Sequence, residues 1–289
     1  MNLTDLYTPH MPYMPYTIWF ARRLIVLNGS LQMLRFKNNI GDHRLGIPDD
    51  SLNRMLYQID KKPPQPEATA TSFSRWIFDL DRGIQGWKGG HRNTPLGEAR
   101  RTISNVLARM TDSAVGDWNL EYFDDGSRAT EVLESSVLQL EGKPLRMKPD
   151  VVYKNSVTDV IAIFEYKIPS THVHVAPTGW PNLVGQLWTY AWADRWADRA
   201  EILLVAAIFD WSRSEPILHK EVIPRTVKTD QALNEQCALL FRRWGGTINT
   251  SRIRNRKLRS LLIEPDLQNT HRKRGPTANP EDSDRSEAD

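Results

Sequence analysis

Three consecutive stretches decide the fold: Met147-Lys148-Pro149-Asp150-Val151-Val152-Tyr153-Lys154, then Asn155-Ser156-Val157-Thr158, then Asp159-Val160-Ile161-Ala162-Ile163-Phe164-Glu165-Tyr166-Lys167-Ile168. The outer two are rich in β-branched and aromatic residues and read as strands, with the polar residues between them as a turn. An antiparallel hairpin centred near Val157-Thr158 brings Asp150 opposite Glu165. Strand period two sends Glu165 and Lys167 to one face and Phe164 and Tyr166 to the other. Two carboxylates and an ammonium then converge at one end of an apolar sheet. Charge in that position is costly unless it is paired or binds metal.

Outward from the hairpin, Val132 to Leu140 reads as a further strand. Pro169 to Pro181 reads as a loop, about Asn182 to Asp198 as a helix, and Ile202 to Phe209 as a buried strand. Upstream, Thr94 can cap a helix with Pro95 at its first position and Glu98 in its first turn. Leu96, Ile103, Val106, Leu107 and Met110 supply the stripe of that helix. The order helix, three strands, helix, strand predicts an α/β fold with a mixed sheet flanked by helices. An amphipathic helix over Gln231 to Trp244 closes this domain, which spans residues 94–250. Residues 1–60 are expected to be an accessory helical segment, helical over 17–36 and Asp50 to Tyr57. Trp19 and Phe20 would anchor it to the core or to a protein partner. The prolines of 61–72 and the glycines near 89 mark 61–93 as a linker and connecting segment. Residues 251–289, basic and then acidic, are expected to be a disordered tail.

The 289 residues are 40% hydrophobic and 25% charged, ordinary for a soluble globular chain. A formal charge of +3 permits nucleic-acid binding without demanding it. Cys237 is the sole cysteine, which excludes an intrachain disulfide and a cysteine-rich zinc site and fits a reducing, intracellular compartment. There is no apolar run long enough for a membrane span and no signal peptide pattern. Arg272-Lys273-Arg274 would serve as a nuclear localisation signal only if the source is eukaryotic.

Convergent carboxylates form a hard-oxygen site suited to Mg²⁺ or Mn²⁺. Asp…Glu-x-Lys alone is weak, because a charged strand end is usually a solvated sheet edge. The surrounding sequence adds weight. Met147-Lys148-Pro149-Asp150 followed by Phe164-Glu165-Tyr166-Lys167 resembles the PD-(D/E)XK nuclease superfamily, with its restriction-endonuclease-like fold. Gln186-Leu187-Trp188-Thr189-Tyr190 resembles the Gln-x-x-x-Tyr motif of the RecB-like branch, and Gln186 and Tyr190 lie one helical turn apart. Trp188, Trp192 and Trp196 lie on another face and read as packing residues.

The resemblance, over roughly residues 94–210, implies that Asp150, Glu165 and the main-chain carbonyl of Tyr166 bind metal. It gives Lys167 the catalytic role, while Gln186 and Tyr190 orient the site or touch the DNA backbone. Leu96-Gly97-Glu98-Ala99-Arg100-Arg101 resembles the family's first motif, with Arg101 in place of a histidine. A cation cannot ligate metal, so Arg101 reads as a phosphate contact or an ion-pair partner. Glu98 is either a third metal-side acid or a first-turn residue favouring the helix dipole.

His172-Val173-His174 lacks a third and fourth zinc ligand and reads as a phosphate contact or an exposed pair. Asp210 reads as a strand-end residue. Arg252, Arg254, Arg256, Lys257 and Arg259 are either a solvated run or contacts to backbone phosphates. The expectation is a Mg²⁺- or Mn²⁺-dependent nuclease acting on DNA, with RNA not excluded. The alternative is a catalytically inactive nuclease-fold module that binds nucleic acid or a protein.

Overall fold

The computed structural model describes residues 23–27, 30–38, 44–59, 67–82, 114–115, 117–124, 130–167, 178–211, 217–222 and 225–263. In chain order its elements begin with strands β1 (Arg23–Leu27) and β2 (Ser30–Asn38) and helices α1 (Asp49–Gln58) and α2 (Ala70–Arg82). Six strands follow: β3 (Ala114–Val115), β4 (Trp118–Phe123), β5 (Leu133–Leu140), β6 (Lys143–Met147), β7 (Val151–Asn155) and β8 (Ile161–Lys167). Next come α3 (Pro181–Tyr190), β9 (Ile202–Trp211), β10 (Ile217–Val222), β11 (Arg225–Val227) and α4 (Gln231–Arg243). The chain then forms β12 (Gly246–Ile248), a 3-10 turn (Thr250–Arg252) and α5 (Arg256–Leu262). No described helix is long and apolar enough to cross a membrane.

The architecture is α/β. The main sheet runs β1-β2-β10-β9-β8-β7-β4-β3, with β11 also paired to β9, and β12-β5-β6 form a separate antiparallel sheet. The main sheet is mixed: β4, β7 and β8 are antiparallel, while β8 and β9 are parallel.

The β7–β8 hairpin forms where the sequence places it. Asn155 Oδ1 accepts from the N–H groups of Val157 (2.9 Å) and Thr158 (2.8 Å), an Asx turn that makes the reversal locally. Asp159 takes the left-handed conformation (φ 59°), which short polar side chains tolerate. Helix α3 begins at Pro181, whose missing N–H costs nothing at a first helical position. It is buried on all sides, as suits a helix enclosed by other elements. It lies on β8 and β9, and α2 and α4 pack against it. Phe73 of α2, Trp188 of α3, Phe241 of α4 and the adjoining Trp244 meet at ring-centroid distances of 5.3–6.4 Å. The face of the sheet beneath carries Val152, Ile161, Ile163, Leu204 and Ala206 into the same core.

Five expectations change. Residues 17–36 were expected to be helical, but 23–27 and 30–38 are strands, and β2 pairs in parallel with β10. Backbone bonds to a distant strand override a local three-to-four periodicity there. Residues 61–93 were expected as a linker, yet 70–82 form α2. Its Phe73, Trp76, Ile77 and Leu80 are buried at helical spacing. Strand β5 does not lie beside the hairpin; β4 takes that place, and β5 pairs with β6 and β12 instead. The stretch Met147 to Lys154 therefore splits, Met147 ending one sheet and Val151 starting in the other. The tail expected from residue 251 is folded as far as 263, with Ile253, Leu258 and Leu262 buried. Helix α3 also ends at Tyr190 rather than near Asp198, and Trp196 Nε1 donates to the Tyr190 carbonyl at 2.6 Å. The helix expected over 94–110 lies outside the described residues, as do Trp19 and Phe20.

Candidate metal centre

Register builds the site. Val151 pairs with Phe164, which sets Asp150 across from Glu165 at one end of the hairpin. Alternation sends Phe164 to the far face, where its ring meets Tyr153 edge-on at 6.2 Å. Glu165 instead points toward α3 on the core face and is only 2% exposed. Its Oε1 accepts from Lys167 Nζ and, at 2.9 Å, from Gln186 Nε2. Gln186 Nε2 also donates to the Tyr190 hydroxyl (2.5 Å), which donates to the Lys148 carbonyl (3.1 Å). One helical turn separates Gln186 from Tyr190, so α3 can place both against the strand end. The chain of bonds runs from the residue before Pro149 to Lys167 and fixes Glu165 in one orientation.

Glu165 Oε2 is different. It is buried and has no hydrogen-bond partner among the described residues. A buried carboxylate oxygen left without a donor is destabilising, and in a native fold it asks for an explanation such as an ion. Asp150 is half-buried and partnered. Its Oδ2 accepts from the Tyr166 N–H at 2.5 Å, yet its acidity is perturbed. Burial first, and the nearby Glu165 carboxylate second, push its pKa up from 3.8 to about 8. The Tyr190 phenol is raised well above its ordinary value by burial and by the same two acids.

These residues fit a divalent cation. The donors are hard oxygens, two carboxylates face each other across adjacent strands, and one buried oxygen lacks a partner among the described residues. Among the described residues no group of three His, Cys, Asp or Glu converges to hold an ion. The protein's side-chain contribution in the described part is therefore Asp150 and Glu165, a sparse set that suits Mg²⁺, which retains waters.

The structure brings Asp150, Glu165, Lys167, Gln186 and Tyr190 together. Gln186 and Tyr190 are buried at 6% and 1% exposure, so they hold Glu165 rather than face a polymer. The Tyr166 N–H serves Asp150. Glu98, Arg101, His172 and His174 lie outside the described residues; for Asp210 the backbone alone is described, within β9.

The basic stretch is not at this site. Asp198 Oδ1 accepts from the N–H groups of Arg254 (2.5 Å) and Asn255 (3.2 Å). Asp198 precedes β9, whose first residue pairs with Ile161 at the start of β8, and Arg199 pairs with Asp159 just before it. Glu165 is four residues further along β8, about 13 Å at strand rise. Arg259 is also committed elsewhere, donating to the Ile253 carbonyl at 2.6 and 3.2 Å.

Two residues were not singled out from sequence. The N–H of Asp124 donates to the Asp150 carbonyl at 3.0 Å, and Phe123 pairs with Val151, so Asp124 stands across from Asp150 on the third strand. It adds to the rise in the Asp150 pKa. The alternation Trp118, Leu120, Tyr122 before it was the available signal. Lys228 is 1% exposed, far from any motif; a lone lysine gives no sequence signal of burial. Comparison with protein-family models, with curated proteins and with solved structures gives no match.

Proposed function

We propose that the protein is a Mg²⁺- or Mn²⁺-dependent nuclease of the PD-(D/E)XK kind that hydrolyses phosphodiester bonds in DNA. The observation that carries the proposal is the buried Glu165 Oε2, without a hydrogen-bond partner among the described residues, beside the half-buried Asp150 carboxyl and a lysine. Asp150 and Glu165 would hold the ion, with the Tyr166 carbonyl as the further donor that the resemblance implies. The ion supplies Lewis acidity toward the phosphodiester and lowers the pKa of water. Lys167 positions the attacking water and offsets the negative charge that grows on the phosphoryl oxygens. Gln186 and Tyr190 keep the Glu165 carboxylate from rotating, so less reorganisation is needed as charge develops. Water's oxygen attacks phosphorus in line. The bond to the sugar 3′ oxygen breaks, that oxygen takes up a proton, and the ends are 5′-phosphate and 3′-hydroxyl.

The test is cleavage of single-stranded, linear duplex and circular DNA by the purified protein with Mg²⁺ or Mn²⁺. Asp150→Ala and Lys167→Ala should abolish it. No cleavage by the wild type, or equal cleavage by the variants, overturns the proposal. Carboxylate-dependent Mn²⁺ binding without cleavage would favour a metal-binding module that does not turn over.

A further inference from the structure

The segment after α4 has the charge of a ligand-binding surface and the order of a folded one. From residue 236 to 263 the sequence contains Arg242, Arg243, Arg252, Arg254, Arg256, Lys257 and Arg259 and no acidic residue. Packing sorts these cations. Arg242 donates to the Leu262 carbonyl and Arg259 to that of Ile253, so both serve the fold. Arg252, Arg254, Arg256 and Lys257 are exposed, the Arg254 side chain at 94%. They are nonetheless held on a fixed backbone. Ile253, extended after the 3-10 turn that ends at Arg252, is buried, while Arg252 and Arg254 on either side of it are exposed. Asn255 caps α5, accepting from the N–H groups of Lys257 (3.1 Å) and Leu258 (3.4 Å). Leu258 and Leu262, one turn apart, seat the helix on the core. Asp198, one of the acids at this corner with Glu201 and Asp159, is occupied by the N–H groups of Arg254 and Asn255 and lies 4.0 Å from the Arg254 guanidinium.

We propose that Arg252, Arg254, Arg256 and Lys257 form a separate anchoring surface for the phosphate backbone of nucleic acid, at the opposite end of the sheet from Asp150 and Glu165. Nucleic acid as the polyanion rests on the nuclease function proposed above. Four cations ordered by packing meet a regularly charged polymer with little loss of backbone entropy on binding. Such binding is sequence-independent and salt-dependent. Because this surface lies beyond the carboxylates, it retains a polymer without metal and without occupying the site of cleavage.

The test is fluorescence anisotropy of labelled duplex DNA with the full chain in EDTA, as a function of salt. The comparison is with the quadruple variant Arg252→Gln, Arg254→Gln, Arg256→Gln, Lys257→Gln, whose changes leave Ile253, Leu258 and Leu262 in place; thermal melting checks its fold. The expected result is binding by the wild type and at least about tenfold weaker binding by the variant. The slope of log K against log salt should fall by about 0.9 for each phosphate that the variant no longer neutralises. Equal affinity and slope in a folded variant overturn the proposal, as does absence of metal-free binding by the wild type. Binding of phosphatidylserine vesicles in preference to DNA, abolished in the variant, also overturns it by making the surface a membrane-facing one. Failure of the nuclease proposal reads differently: DNA still binds in EDTA, but the wild type does not cleave it with Mn²⁺.

Discussion

Raising the pH from 7 to about 9.5 should stabilise this protein through one side chain, Lys228. It follows β11 and is 1% exposed. Its ammonium donates to the carbonyls of Ala197 (2.6 Å) and Trp196 (3.3 Å) and sits 4.1 Å from the Trp192 ring centroid. Burial lowers its pKa from 10.5 to about 7, although the Asp198 and Glu201 carboxylates favour the charged form. Between those two values the unfolded chain holds a proton that the folded chain has released. The unfolded state binds more protons there, so stability rises with pH, and below about pH 7 this group adds no further pH dependence. With these two pKa values, keeping Lys228 buried costs about 4 kcal/mol at pH 7 and about 1 kcal/mol at pH 9.5. Urea unfolding of the wild type and of Lys228→Met at both pH values isolates the effect. The difference in unfolding free energy between the two proteins should move by about 3 kcal/mol in favour of the wild type as pH rises. Parallel pH profiles would show that Lys228 titrates normally and refute the burial argument.

Mn²⁺ should raise the melting temperature of the wild type, because a ligand that binds only the folded state stabilises it. Asp150→Asn together with Glu165→Gln should abolish that rise; a full shift in the double variant would exclude these carboxylates as ligands. Asp230 caps α4 by accepting from the Leu233 N–H (3.1 Å), and it also accepts from the Thr226 hydroxyl (3.0 Å) and Arg44 Nε (2.7 Å). Asp230→Ala should cost about 1–3 kcal/mol in chemical denaturation, and an unchanged midpoint would contradict the cap. A Cβ at Gly246 would fall 2.3–2.6 Å from the buried Phe241 ring. Gly246→Ala should therefore destabilise by about 1–3 kcal/mol. At Gly185 the nearest atom, at 2.4 Å, is the Ile77 Cδ1 tip, which can turn away. Gly185→Ala should be the milder of the two, and the reverse order in calorimetry would refute the packing argument.

The sequence by itself determined the hairpin and the pairing within it. Asn155 makes its turn with local bonds, and strand period two then assigns Asp150, Glu165 and Lys167 their places. Gln186 and Tyr190, one turn apart, likewise lie on a helix as read, because helix geometry is local, although Pro181 read as the end of the loop and is the helix's first residue. The stripe Phe73, Trp76, Ile77 and Leu80 of α2 has helical spacing in the sequence, but the neighbouring prolines made 61–93 read as a linker. Tertiary structure decided what depends on distant partners. Whether 23–38 is helix or strand turns on β10, nearly two hundred residues away in sequence. The pairing of β4 rather than β5 beside the hairpin brings Asp124 opposite Asp150. The backbone bonds to Asp198 carry the basic stretch to the far end of the sheet. Burial decided the chemistry as well. The motif supplies two acids and a lysine, but only packing beneath α3 leaves Glu165 Oε2 buried without a donor. Desolvation is a property of everything around a group, and a strand's own residues do not encode it.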